Sequence, residues 1–509
     1  MEELSLEEVI NINGYVLYPF KGISMLPLLD EDFDTVKIIK SDEYKVSDIV
    51  LFKKPTGYVL HRVIDIKNDT YFIKGDNASF IDTINKEKII GKMEGFFHAD
   101  KYINYINNGD LPSFSLTKQR FIMLRASHEL LNFVLTKKCD SSLIKMLSKE
   151  ELLNFVILCV KKKMTYPIYQ LIRTYEIPLE EEYLSKLKLE AEKAYNHYLG
   201  ISSFEQELEE LLTANKVRYI FFKGSEIRKK YPYPSFRMSN DIDFFIDPND
   251  IDRAVKLIQE HYDVVEIDET NLAHKVLSIN DYGIHIEMHF ALFDVSLPIV
   301  KELFKDPFSL SEVDKSNPYR YHMLPEWYYL YNLLHIAKHI SFYQYWFPNI
   351  LDTFISYKEV DLTKLDTLLK RINLETFNKT WLEFSDMFIN FNFSEGANAL
   401  LNLVSSTHEE RHVTRYKLRG RSKISFLFHR LFVSKNELRT TFPNIDKYVI
   451  FLPIYEVRRW FIRMRHGRTR AAITEIKAYS TNSQDLYINN LKQIGLDEIF
   501  LENVKAQVD

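Results

Sequence analysis

The chain has 509 residues, 46% of them hydrophobic and 27% charged, with a formal net charge of −5. That length exceeds what one hydrophobic core usually supports, so roughly two to four domains are expected. Two cysteines, Cys139 and Cys159, are too few for a disulfide scaffold or a thiolate zinc site and point to a reducing compartment, while the mild negative charge excludes a surface coated throughout for nucleic acid.

The opening MEELSLEEVININGY carries several Glu and neither a basic n-region nor a long apolar run. No stretch reaches the about 18 consecutive apolar residues a membrane-spanning helix needs, so a soluble, cytoplasmic protein is expected. From about residue 10 to 98 short β-rich runs (TVKII, DIVLF, YVLHRVIDI, YFIKG, KIIGKMEGFF) are broken by Gly, Asp, Asn and Pro turns. A small, mostly-β domain over 1–112 is predicted. Helical periodicity then takes over across 113–216, as in RFIMLRASHELLNFVL and ELLNFVILCVKKK. Over 217–300 strands and helices alternate (VRYIFF, DIDFFI, DPNDIDRAVKLIQEHY, HKVLSI, GIHIEMHFAL), which reads as an α/β core. Residues 301–509 return to helices. Within them 411–470 hold 16 Lys or Arg against Glu437, Asp446 and Glu456, with Tyr416, Phe426, Phe428, Trp460 and Phe461 interleaved. That segment is a candidate surface for RNA or an anionic partner, or simply a solvated basic face. The fold class is multidomain: a small mostly-β domain, then an α+β domain with extensive helical flanks.

The β domain carries one candidate constellation. Ser24 lies on a turn marked by Gly22 and Pro27, and His61 follows in an alternating strand that puts Val59, His61 and Val63 on one face. Asp76 and Asp82 come after a second glycine turn. A hydroxyl nucleophile, an imidazole base and an acid to orient it suit serine peptidase chemistry, provided a backbone amide can bind the developing oxyanion. The order of these motifs resembles the signal peptidase I and LexA-like superfamily. Its serine box stands here as Gly22-Ile23-Ser24-Met25-Leu26-Pro27, and YKVSDIVLF, VLHRVIDI and YFIKGDNASFID match the boxes that follow. Ser47 stands where that family usually has Gly. The His61-Arg62-Val63 box resembles the members that use His as base, and the family pattern puts the acid at Asp82, with Asp76 the second candidate. No N-terminal membrane anchor is legible, so cleavage of secretory signal peptides is not expected.

A second constellation lies in the α/β core. Asp241 and Asp243 occupy positions i and i+2 of a strand, on one face and roughly 7 Å apart, which lets both reach shared Mg²⁺. Alternation in IHIEMHF puts His285, Glu287 and His289 on one face, so Glu287 can supply a third carboxylate. Three carboxylates suit divalent ions that clamp a triphosphate. Lys223, Gly224 and Ser225 form a turn with amide and hydroxyl donors for phosphate, and Arg237 is a further phosphate candidate. His335 and His339, four apart on an apolar helix, imitate a metal pair but read better as packed or surface histidines. These stretches together resemble the nucleotidyltransferase superfamily of the DNA polymerase β type, and more closely its uncharacterised bacterial branch. The resemblance rests on Phe222-Lys223-Gly224, Tyr231-Pro232, Arg237, Asn240-Asp241-Ile242-Asp243 and Ile286-Glu287-Met288-His289, and implies a Mg²⁺-dependent transfer of NMP from an NTP, ATP first, to an unknown acceptor.

The chain is thus expected to be bifunctional, acting on a peptide or protein and on a nucleotide, in peptide maturation among other settings. The alternative is a regulatory or binding scaffold in which one or both sites are inactive.

Overall fold

The computed structural model describes residues 5–54, 57–78, 80–98, 101–105, 116–268, 273–280, 283–293, 298–341, 344–404 and 489–496. The basic segment 411–470 lies outside these residues.

The chain opens with helix α1 (Leu6–Asn13), started by a capping box in which Ser5 and Glu8 satisfy each other's backbone amides. Eight strands follow: β1 (Tyr15–Pro19), β2 (Asp34–Ile39), β3 (Ile49–Lys54), β4 (Gly57–Lys67), β5 (Thr70–Lys74), β6 (Asp82–Asn85), β7 (Ile89–His98) and β8 (Lys101–Asn104). They form one antiparallel sheet in the order β1-β2-β7-β3-β4-β5-β6, with β8 added on β7. Strict alternation in β2 buries Asp34, Val36 and Ile38 and leaves the intervening residues half-covered. Two small apolar clusters result, one around Val36, Ile38, Leu51 and Leu60, the other around Phe52, Val63 and Ile73. Eight short strands match the turn spacing read from the sequence.

Helices α2 (Lys118–Thr136), α3 (Ser141–Lys145), α4 (Lys149–Lys161), α5 (Thr165–Thr174) and the 34-residue α6 (Glu181–Ala214) come next. Strand β9 (Tyr219–Phe221) and short helix α7 (Gly224–Ile227) lead into β10 (Asp241–Ile246). Helix α8 (Ile251–His261) buries Ile251, Ala254, Val255 and Ile258, the spacing of a single apolar stripe. Strands β11 (Val264–Asp268), β12 (His274–Ile279) and β13 (Ile284–His289), helix α9 (Pro298–Leu303), and strands β14 (Ser311–Val313) and β15 (Arg320–Met323) complete a seven-stranded mixed sheet. Its order is β11-β12-β13-β10-β9-β15-β14. The sheet therefore takes two strands from beyond residue 300, where the sequence reads as helical. Their runs of three and four residues are too short to show a period.

Helices α10 (Pro325–Ser341), α11 (Phe347–Ser356), α12 (Leu362–Arg371), α13 (Glu375–Ile389) and α14 (Glu395–Val404) pack with α2–α5 into one large core containing Phe133, Phe155, Tyr329, Phe347 and Trp381. Leu26, two residues after Ser24, belongs to that helical core rather than to the β clusters. The junction is also polar. Arg125 of α2 donates to Asp30 at 2.7 Å, Lys118 to Glu31 at 2.8 Å, and Asn77 exchanges two hydrogen bonds with the backbone of Leu116. Among the described residues no helix is long and apolar enough to cross a membrane.

Candidate active sites

The second constellation converges as its strand pattern predicts. β10 and β13 run parallel with Asp241 opposite His285 and Asp243 opposite Glu287, so both carboxylate-bearing positions lie on the same face of the sheet. The other face of β13, Ile284, Ile286 and Met288, is sealed in the apolar core beneath. Asp243 is only 2% exposed. Its Oδ1 accepts from Lys223 Nζ at 2.5 Å and lies 3.3 Å from His289 Nε2, which is itself 3.4 Å from Glu287 Oε2. Acceptor atoms of Asp243, Glu287 and His289 all fall within 4.8 Å of one another, which fits one cation. His289, on the same face as Glu287 by alternation, is the member that sequence reasoning left without a role.

Electrostatics follow from this crowding. The hydrogen bond from His289, against the cost of burial and with help from Lys223, holds the Glu287 carboxyl down at about 2. Burial works against a charged His289, yet Asp243 and Glu287 raise it above the ordinary histidine value. Asp241 is pushed up by burial and by the neighbouring Asp243. A carboxyl so poised is ready to receive a cation.

These groups line a cavity of about 610 Å³, within the range of nucleotide-sized sites. Its opposite wall comes from the helices: Lys163, His197, His335, Lys338, His339 and Trp346. Lys163, in the left-handed region at φ 63°, ends the turn between α4 and α5 and lies 4.4 Å over the Trp346 ring. Burial lowers its ammonium, and Asp241 pulls the other way. His335 and His339 do face the cavity, with their Nε2 atoms 2.9 Å apart. Burial keeps His335 far below its usual value and His339 at about 4, so one ring donates to the other and both are neutral at pH 7.

Three predicted phosphate contacts are placed differently. Gly224 lines the cavity, and a Cβ there would meet Ser239 at 2.8 Å, so glycine is needed for the close approach of the two turns. The Ser225 hydroxyl is buried without a hydrogen-bond partner and is absent from the cavity wall. Arg237 lines the cavity but spends its guanidinium on Asp352, at 2.8 to 3.0 Å through Nε and Nη2, and on the Met238 carbonyl oxygen. It is the cation of a buried ion pair, with no charge left over for a phosphate.

In the first constellation His61 and Asp82 lie side by side, with the Ser24 turn close to His61. His61, 2% exposed, sits with Nδ1 3.4 Å from Asp82 Oδ2, and Lys54 holds the other Asp82 oxygen at 2.6 Å. Gly75 lies between His61 and the Ser24 turn: a Cβ on it would meet the Ser24 carbonyl oxygen at 2.6 Å and His61 Nε2 at 3.0 Å. The Ser24 backbone carbonyl and the His61 ring thus both close on Gly75. Asn77 fastens the turn, its amide donating to the Ser24 carbonyl at 2.8 Å and its side chain to that of Ile23 at 3.0 Å. Burial lowers His61 more than Asp82 raises it, leaving a neutral imidazole. Asp76, the other acid candidate, is not beside His61. It accepts a two-pronged bond from Arg62 at 2.7 and 2.8 Å in the buried interior. Arg62 continues to the Ser47 carbonyl, and Ser47 has φ 75°, the conformation a glycine at that position would adopt freely.

No curated protein and no solved structure matches the chain. Residues 148–388 match the family model described as an uncharacterised nucleotidyltransferase, and this supports nucleotidyl transfer for the part of the chain that builds the cavity.

Proposed function

We propose that the cavity between the mixed sheet and the helices transfers NMP from an NTP, ATP first, to an acceptor hydroxyl or phosphate. The observation that carries the reading is the meeting of Asp243, Glu287 and His289 on one face of β10 and β13, with Asp241 beside them, inside a nucleotide-sized cavity. The donor set is rich in carboxylate oxygen and suits Mg²⁺, and the buried Lys223 ammonium standing among these oxygens supports a preference for a cation. Asp241, Asp243 and Glu287 would hold the ion, which when bound draws charge from the reacting phosphate. The Lys163 ammonium faces the carboxylates across the cavity and binds the outer phosphates, while Trp346 beneath it holds the lysine stem in place. The Arg237–Asp352 pair fixes the turn carrying Asn240 and Asp241. Incubation of the full chain with α-³²P-NTP, Mg²⁺ and a cell extract tests this. Label should reach an acceptor with the native chain and be lost with Asp243→Asn; labelling that survives the substitution refutes the assignment.

A second reading concerns the β domain, and the observation favouring it is the neutral His61 placed between Asp82 and the Ser24 turn. Ser24 Oγ attacks a scissile carbonyl, His61 takes the hydroxyl proton and returns it to the leaving amine, and Asp82 orients the ring. A peptide or protein substrate would be cut by the native chain and left intact by Ser24→Ala; cleavage by that variant refutes the reading.

A further inference from the structure

We propose that Lys223 serves as a built-in cation of the transferase centre, so that the site works with a single divalent ion where three convergent carboxylates could otherwise hold two. This deepens the transferase reading and rests on it. Four observations support it. The Lys223 ammonium lies 2.5 Å from Asp243 Oδ1 and 3.7 Å from Glu287 Oε2, in the space an ion bridging these two residues would fill. Its backbone is held at φ 50° and ψ −129°, a region that residues with a Cβ rarely visit, and such strain persists where the surroundings impose it. The surroundings are on hand: Tyr328 donates its hydroxyl to the Lys223 carbonyl at 3.2 Å, and the next residue, Gly224, is wedged against Ser239. The side chain is mostly buried, 18% exposed, so the ammonium has little water to retreat into.

A second cation at the bridging position would sit beside an ammonium that it strongly repels in a low-dielectric setting. The Asp241 side lines the cavity, and Asp241 and Asp243, with Glu287 beside them, would hold the one divalent ion there. The ammonium acts as fixed charge, as a point cation on a long stem does in other phosphate sites.

The test is a count of bound Mn²⁺ per full-length chain by electron paramagnetic resonance titration, with and without an α,β-methylene ATP analogue. Native protein and Lys223→Arg should bind one ion with the analogue present. Lys223→Met, which keeps the stem and loses the charge, should bind two, the second at least about tenfold tighter than any second ion in the native chain. Two tight ions in native protein, or one in both native and Lys223→Met, overturn the inference. Label transfer to an acceptor alongside a count of two ions would leave the transferase reading standing and sink only this inference. Absence of bound Mn²⁺ in every form would sink both.

Discussion

The two candidate sites are held by the same device and charged in opposite ways. Beside each stands a buried arginine–carboxylate pair, Arg62–Asp76 in the β domain and Arg237–Asp352 in the transferase part, and in each the arginine also grips a backbone carbonyl of the turn it supports. The site proper then differs. Around Ser24 the working groups are a hydroxyl and a neutral imidazole with one shared acid. Around Asp243 a second acid, Glu287, a lysine and a raised histidine crowd together, with Asp241 lining the same cavity. Proton shuttling needs a base that is neutral at working pH, whereas phosphoryl chemistry needs concentrated fixed charge. One structural device, a desolvated ion pair, thus stands beside two differently charged sites.

That comparison can be broken most severely at the braces. Arg62→Met and Arg237→Met each strand a carboxylate in the interior, and each should destabilise by about 3–5 kcal/mol, read as a fall in the urea midpoint. A loss below about 1 kcal/mol in either would show that the pair is not a brace. Next in size is Gly75→Ala. Its new methyl would overlap the Ser24 carbonyl, costing about 1–3 kcal/mol and abolishing peptide cleavage while label transfer continues. Loss of both activities would mean that the two sites are not separable. Lys163→Met should raise the KM for NTP about tenfold, the worth of one charge-assisted contact, with kcat little changed; an unaltered KM removes Lys163 from the phosphate wall.

The smallest effect sharpens the contrast in charge. Burial lowers His61 from its ordinary 6.5, so the native chain binds fewer protons there than the unfolded chain. The stability linked to His61 is therefore complete above pH 6.5 and is lost as pH falls below it. In parallel, the acid limb of the kcat/KM profile for peptide cleavage should fall below pH 6.5. A limb above 6.5 would show His61 exposed or charged in the free protein.

Much of this was legible along the chain because it is periodic or local. Alternation in DIDFFI and IHIEMHF foretold the face shared by Asp241, Asp243 and Glu287, and the parallel register of β10 and β13 put them together. His289 had the same signal and was passed over because carboxylates alone seemed sufficient for Mg²⁺. What escaped is pairing over long separations. Arg237 and Asp352 are 115 positions apart, and Asp76 answers Arg62 rather than His61; no local pattern says which of several cations a buried acid will choose. Lys163 lies in a helical turn outside the α/β run, and only tertiary packing brings it over Trp346.

Leu26 has a consequence for how the chain can be divided. It sits two positions beyond Ser24 with its side chain in the core that also holds Phe222 and Trp381, and Asp30, Glu31 and Asn77 hold residues 116–125 from the other side. A fragment ending near residue 105 would therefore carry an intact sheet and an unsupported serine turn, with Leu26 in water and Asp30 stripped of its arginine. The boundary that composition draws between two modules is a seam in the sequence, and the serine turn is built from both sides of it.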